Sequence, residues 1–399
     1  MKIILLFVAI LVSGIAYSQS WNQITDFPGP SRDDGVSFRI YPNQTICGSG
    51  RNAGFNVTSD FYVFDLGLET WESRASLPDS CKRQYATAFS TGFNGTGFVF
   101  GGVNGAGVEF NDLWRFGATP WGSDAWINFQ SMPSVGRGGS SSFMIGPYKA
   151  YIIGGKNQSV TTETEVWEYD ITNDNWTQKN DLPFSGIWRG VSFVDDTTGY
   201  IGLGIDSAGV ANSDFYRYLP TTDQWELVPQ LSMSARSYVS HAQIGDGVYL
   251  YGGVDSLGNY LNTFERINLA SLTIDILTPF PTEARKGTMA FASHDDFYIS
   301  TGVTTTTRLS ETWVAGNVIG LDDLDESSIQ VFQSGNELEI KTDQEIKSFE
   351  IISMDGRTVK SKRNEANERI SIRDVEAGVY LWHIVSEGGI RFSGRIFVN

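Results

Sequence analysis

The chain has 399 residues, with 46 acidic side chains against 29 lysines and arginines, a formal net charge of −17. That balance excludes a nucleic-acid binder, which needs a basic footprint, and argues against attachment to an anionic membrane surface. With 43 glycines, 25 phenylalanines, 16 tyrosines and 11 tryptophans, the composition is that of many short strands joined by tight turns.

The chain opens with Lys2 and an apolar run from Ile3 to Val12, too short to span a bilayer comfortably. Ala16-Tyr17-Ser18 then puts small residues at the two positions a signal peptidase inspects. Residues 1–18 are therefore predicted to be a signal peptide, with Gln19 as the mature start. No cysteine follows the cleavage point, which speaks against a lipoprotein anchor, and no later segment is apolar for long enough to be a transmembrane helix. The predicted route is export through the periplasm.

From there a repeat governs the sequence. Apolar runs end in glycine at Gly50, Gly102, Gly155, Gly204, Gly253 and Gly302, at steps of 52, 53, 49, 49 and 49 residues. A second series keeps time with it. Asp60, Asp112, Glu165, Asp214, Asn262 and Glu311 each stand two residues before an aromatic: Tyr62, Trp114, Trp167, Tyr216, Phe264 and Trp313. A third series is Trp71, Trp126, Trp176 and Trp225, with Ile274 in the fifth copy. No such residue follows Trp313, yet Trp21, Phe27-Pro28 and Arg32 copy Trp71, Leu77-Pro78 and Arg83. The N-terminal segment is thus predicted to supply the outer strand of the last copy, closing a ring and hiding its sheet edges.

These paired glycines, aromatics and tryptophans resemble the Kelch repeat. The resemblance implies an all-β, six-bladed β-propeller over residues 19–318, in which most of the repeated residues serve packing. Ser49, Leu203 and Thr301 depart from it by replacing one glycine of the pair.

Beyond Gly316 the pattern changes. Residues 319–326 read as an acidic linker, and residues 327–399 as a small antiparallel β-sandwich, with a tight turn at Asp355-Gly356. The run Phe349 to Arg357, then Ile370 to Asp374, Glu376-Ala377-Gly378-Val379-Tyr380 and the ending Arg395-Ile396-Phe397-Val398 resemble the C-terminal sorting domain of the type IX secretion route of Bacteroidetes-type bacteria. Val331-Phe332-Gln333-Ser334 stands where that family commonly has a Tyr-Pro-Asn-Pro-like opening. The resemblance implies delivery to the cell surface or medium through the secretion machinery, which would read residues 327–399.

Chemistry is sparse. Cys47 and Cys81 could pair in an oxidising compartment or remain two free thiols. His241 and His294 fall in the inner strands of neighbouring copies at different offsets, and His383 lies in the tail, so no metal site is expected. No catalytic residue and no cofactor motif stands out. The most suggestive polar set is six arginines: Arg32, Arg83, Arg137, Arg189, Arg236 and Arg285, each shortly before an inner strand. Repeat symmetry predicts a ring of guanidinium groups at the channel mouth, suited to an anionic ligand, or alternatively architectural arginines that bind carbonyls and acids between blades. Asp206-Ser207-Ala208 and Asp255-Ser256-Leu257 resemble O-glycosylation acceptor motifs of the same bacteria. The reading is a secreted binding module for a glycan, an acidic ligand or a protein. The alternative is a sugar-processing enzyme resembling the exported Kelch-type sialic acid mutarotases.

Overall fold

The computed structural model describes residues 20–92, 95–117, 124–158, 162–316, 318, 330–334, 337–341, 346–353, 357–363, 369–386 and 391–398. The candidate signal peptide, the acidic linker and the Asp355-Gly356 turn lie outside these residues. The chain divides into two compact units, residues 1–319 and 320–399. Among the described residues no helix is long and apolar enough to cross a membrane.

The first unit is a six-bladed propeller of four-stranded antiparallel sheets. Its first blade runs outward from the channel through Val36–Tyr41, Gln44–Gly48, Phe61–Asp65 and Thr70–Arg74. The alternation of buried and half-buried residues in Val36–Tyr41 follows from period-2 side chains between two neighbours. The second strands are buried almost throughout, as in Gly247–Tyr251, because both faces meet other blades. Blade six takes its outer strand, Ser20–Gln23, from the other end of the chain. It pairs antiparallel with Thr312–Gly316, Trp21 opposite Ala315.

The outer tryptophans do more than fill space. Each donates its indole N–H to a carbonyl of the preceding blade: Trp71 to Thr25 at 3.2 Å, Trp126 to Ala75 at 2.8 Å, Trp176 to Gln130 at 2.8 Å, Trp225 to Asn180 at 3.1 Å and Trp21 to Thr278 at 3.1 Å. Ile274, in blade five, has no such donor.

Backbone conformation explains which glycine of each pair is replaceable. Ser49, Leu203 and Thr301 occupy the first position at φ 58°, 56° and 63°, a left-handed region that other residues enter at modest cost. The second position has φ from 78° at Gly204 to 105° at Gly253, and there every copy keeps glycine.

The second unit has a three-stranded sheet, Gln330–Ser334, Glu337–Lys341 and Arg369–Ser371, and a four-stranded sheet, Thr358–Arg363, Ile346–Ser353, Gly378–Ser386 and Arg391–Val398. Leu338, Ile340 and Ile370 from one and Phe349, Ile351, Tyr380 and Ile384 from the other form one core. Thr358–Arg363 has no counterpart in the sequence reading. Its residues, TVKSKR, carry three cations, as suits an edge strand that must not pair further.

The cysteines do not pair. Both are free thiols: Cys47 is buried with Phe27, Phe64 and Met289, whereas Cys81 packs against a different cluster that includes Leu77 and Val99. Burial pushes the Cys47 thiol well above its ordinary pKa, so it is an inert packing group. His294 is likewise displaced from its expected strand. Blade six's inner strand ends at Ala292, and His294 lies exposed beside Asp295 in the turn.

Candidate functional site at the channel mouth

The six arginines do not form one ring. Five are buried staples inside their own blades. Arg32 forks onto Asp60 at 2.8 and 2.6 Å, Arg83 onto Asp112 at 2.7 and 2.9 Å, Arg137 reaches Glu165 at 2.6 Å and Arg285 reaches Glu311 at 2.8 Å. Arg236 pairs with Glu265, because its own blade has Asn262 where the others carry an acid. Each staple joins the loop entering the inner strand to the start of the third strand, and in blades one to three also holds the glycine-turn carbonyl. Asp60, Glu165 and Glu311 keep their carboxyls below the ordinary range, because hydrogen bonds from arginine and its neighbours outweigh the opposing effect of burial. These guanidiniums are spent on architecture, and the expected anion-binding ring is corrected accordingly.

The true mouth lies two residues further on. Asp34, Tyr85, Gly139, Arg189, Tyr238 and Gly287 are equivalent positions, all at φ between 57° and 67°. Their backbones link neighbour to neighbour. Asp34 N–H donates to Gly287 O at 2.8 Å, Tyr85 to Asp34 at 3.2 Å, Gly139 to Tyr85 at 2.7 Å and Arg189 to Gly139 at 2.9 Å. In blade four Ile187 holds the staple position, and the arginine is shifted into the mouth. Arg189 crosses to pair with Asp34, three blades away. Its guanidinium lies 4.1 Å from the Tyr85 ring centroid and 4.5 Å from that of Tyr238. The pair plus two stacked rings forms a plug.

Below the plug is a channel cavity of about 270 Å³. Its walls are short polar side chains whose protons serve the blade joints: Ser37 donates to Ala290 O at 2.5 Å, Ser142 to Ala88 O at 3.3 Å and Ser192 to Ser142 O at 2.7 Å. His241 Nε2 takes the same role against Ser192 O at 2.9 Å, and burial holds its pKa below the ordinary value. It is a structural histidine. Among the described residues no cluster of three or more potential ligands could hold a metal ion.

Above and beside the plug the rings continue. Trp188 lies 6.2 Å from Tyr85 and 5.4 Å from Tyr238, both edge-on. Lys156 Nζ stands 5.6 Å from the Trp188 ring, and Lys286 Nζ lies 4.5 Å from Tyr238 and 5.1 Å from Tyr260. A hollow of about 290 Å³ opens between Tyr85, Trp188, Lys156, Asn157, Gln158 and Glu109. Asp33 is held by Arg308 at 2.6 Å. Burial and the Asp34 carboxylate push its pKa up to about 6 against the pull of that arginine.

Sequence reasoning missed Tyr85, Trp188, Tyr238, Lys156 and Lys286. One signal was available: Arg189 stands 15 residues before its glycine anchor Gly204, whereas Arg32 and Arg137 stand 18 before theirs. That offset marks Arg189 as a different position in the repeat.

Comparison with known proteins adds two assignments. Residues 235–273 match the model of the Kelch motif, and residues 334–399 match that of the secretion system C-terminal sorting domain. Kelch-like protein 35 of Mus musculus is 25% identical over 244 residues, 60% of this chain. The match covers 38% of the mouse protein's length. A solved structure titled "Structure of YjhT" superposes with a TM-score of 0.59 at 16% identity, covering 73% of this chain and 96% of that one. At this identity the likeness speaks for the fold alone.

Proposed function

We propose, from the premise that this chain is an exported six-bladed Kelch-type β-propeller with a type IX secretion-system C-terminal sorting domain, that it is a binding module acting at the cell surface or in the medium, and that its ligand is an acidic glycan. The observation that carries this reading is the mouth itself. Trp188, Tyr85 and Tyr238 are only partly covered, and partly covered rings offer flat apolar faces for the C–H face of a sugar. Lys156 and Lys286 set two cations beside them, while Arg189 and Arg308 are neutralised by Asp34 and Asp33. Two lysines beside partly exposed rings, on a chain of net charge −17, favour a carboxylated ligand at this mouth.

Calorimetric titration of the full chain with a uronate-containing oligosaccharide and a neutral one of equal length tests this. The acidic oligosaccharide is expected to bind more tightly. Replacing Lys156 and Lys286 by alanine should remove that preference, and Trp188→Ala should weaken both ligands. Lys156→Ala alone should leave the melting temperature within about 1–2 °C, since an exposed charge contributes little to stability. Equal affinity for both ligands, or none for either, would contradict the reading.

A sugar-processing enzyme is the second reading, and one observation favours it. Burial and the neighbouring Asp34 raise the pKa of the Asp33 carboxyl to about 6, within the range that general acid–base work requires. Anomer interconversion of an acidic sugar by the wild type, abolished in Asp33→Asn with binding retained, would select it.

A further inference from the structure

Blade four lacks the arginine staple, yet the acceptors for one are still in place. In the first three blades the guanidinium bonds to a glycine-turn carbonyl, Ser49 O at 3.0 Å, Gly101 O at 2.8 Å and Gly154 O at 3.3 Å, as well as to the acid ahead of the third strand. The corresponding groups in blade four are the Leu203 carbonyl and the Asp214 carboxylate. The register is fixed by the backbone. Gly155 N–H donates to Ile187 O at 2.8 Å, as Gly50 donates to Arg83 O at 2.8 Å and Gly102 to Arg137 O at 2.9 Å. Ile187 therefore occupies the arginine position, and its side chain turns into the apolar cluster of Leu182, Ile201 and Tyr218.

The result is a cradle open to solvent. Asp214 is exposed, whereas the stapled Asp112 side chain keeps 17% of its surface. Asp214 accepts a hydrogen bond from Ser213 Oγ at 3.3 Å. A small cavity of about 40 Å³ separates it from Ile187, Leu203 and Asn212. Asn212 Nδ2 is buried without a partner, so the amide is free to turn its oxygen toward an incoming N–H. The Phe184 and Tyr216 rings, stacked at 4.6 Å and 29°, give the cavity a flat aromatic wall.

We propose that this cradle receives an arginine side chain from a partner polypeptide. A guanidinium fits it for the reasons it fits the other blades: a planar fork of donors meets a carboxylate and a carbonyl while its face lies against an aromatic ring. A lysine ammonium satisfies the charge but neither the fork nor the stacking. The site lies on blade four, apart from the aromatic mouth, and does not depend on the glycan reading.

The test titrates isotope-labelled full-length protein with N-acetyl-arginine amide and, separately, with N-acetyl-lysine amide, following amide resonances of Leu203, Asn212 and Tyr216. Saturable shifts with the arginine compound are expected, with a weaker response to lysine. Asp214→Asn, an exposed change, should weaken the arginine response about tenfold or more. Ile187→Arg, which fills the cradle from within, should abolish it. Absence of a saturable shift, an equal response to lysine, or shifts that survive Asp214→Asn would each overturn the proposal.

Discussion

Trp21→Ala should lower the melting temperature of the propeller by roughly 10 °C, taking about 3–5 kcal/mol for a large buried aromatic and a few degrees per kcal/mol at this size. Trp21 is 9% exposed and lies within 6.2 Å, centroid to centroid, of Tyr251, Phe264, Phe280 and Phe297. It also donates to Thr278 O in blade five. It therefore joins three things: the outer strand to blade six, blade six to blade five, and one end of the chain to the other. Deleting residues 19–30 should do more, because it strips the pairing partner from Thr312–Gly316 and exposes an aromatic core. Unfolding should remain a single transition, moved downward as a whole. A truncated protein that melts at the wild-type temperature would show that the ring closes without this strand.

The second large effect is expected at a staple. Arg83 is fully buried, with Asp112 17% exposed. Arg83→Met removes one partner of a buried pair and leaves a carboxylate with no compensating charge, which costs about 3–5 kcal/mol. The double change Arg83→Met with Asp112→Leu should recover most of that loss, because an apolar pair needs no desolvation. A double-mutant cycle by chemical denaturation reads the difference. The acid limb should report the same staples. The carboxyls of Asp60, Glu165 and Glu311 lie below their ordinary values, so their contribution is complete at neutral pH. It is lost only as pH falls through those depressed values. If Arg83→Met melted within a degree or two of the wild type, the arginines would not be architecture.

How much of this could be read beforehand depends on what each residue answers to. Six blades, their order and the strand from the far end follow from glycines and tryptophans that recur at the same place in each repeat. The N–H of Trp126 or Trp176 must find a carbonyl one blade back, and the repeat announces that need five times, with Ile274 in the remaining copy. The mouth is different. Arg189, Asp34, Tyr85 and Tyr238 come from four different blades and meet only because the ring closes, so no spacing within one repeat records the contact. The arginine series showed the opposite failing. Arg32, Arg83 and Arg137 recur with the regularity of the fold, and that regularity signals structural duty; the member that broke the spacing, Arg189, is the one that faces the channel. Cys47 and Cys81 were open to either reading from sequence, and burial in separate clusters decided between them.

A structure of the full chain with a bound uronate-containing oligosaccharide tests the proposed glycan site at the channel mouth most directly. Sugar rings are expected against Trp188 and Tyr85, with a carboxylate within hydrogen-bonding distance of Lys156 or Lys286 and Arg189 still paired to Asp34. An oligosaccharide bound on the outer strands or on the opposite face of the propeller, with the mouth empty, would contradict it.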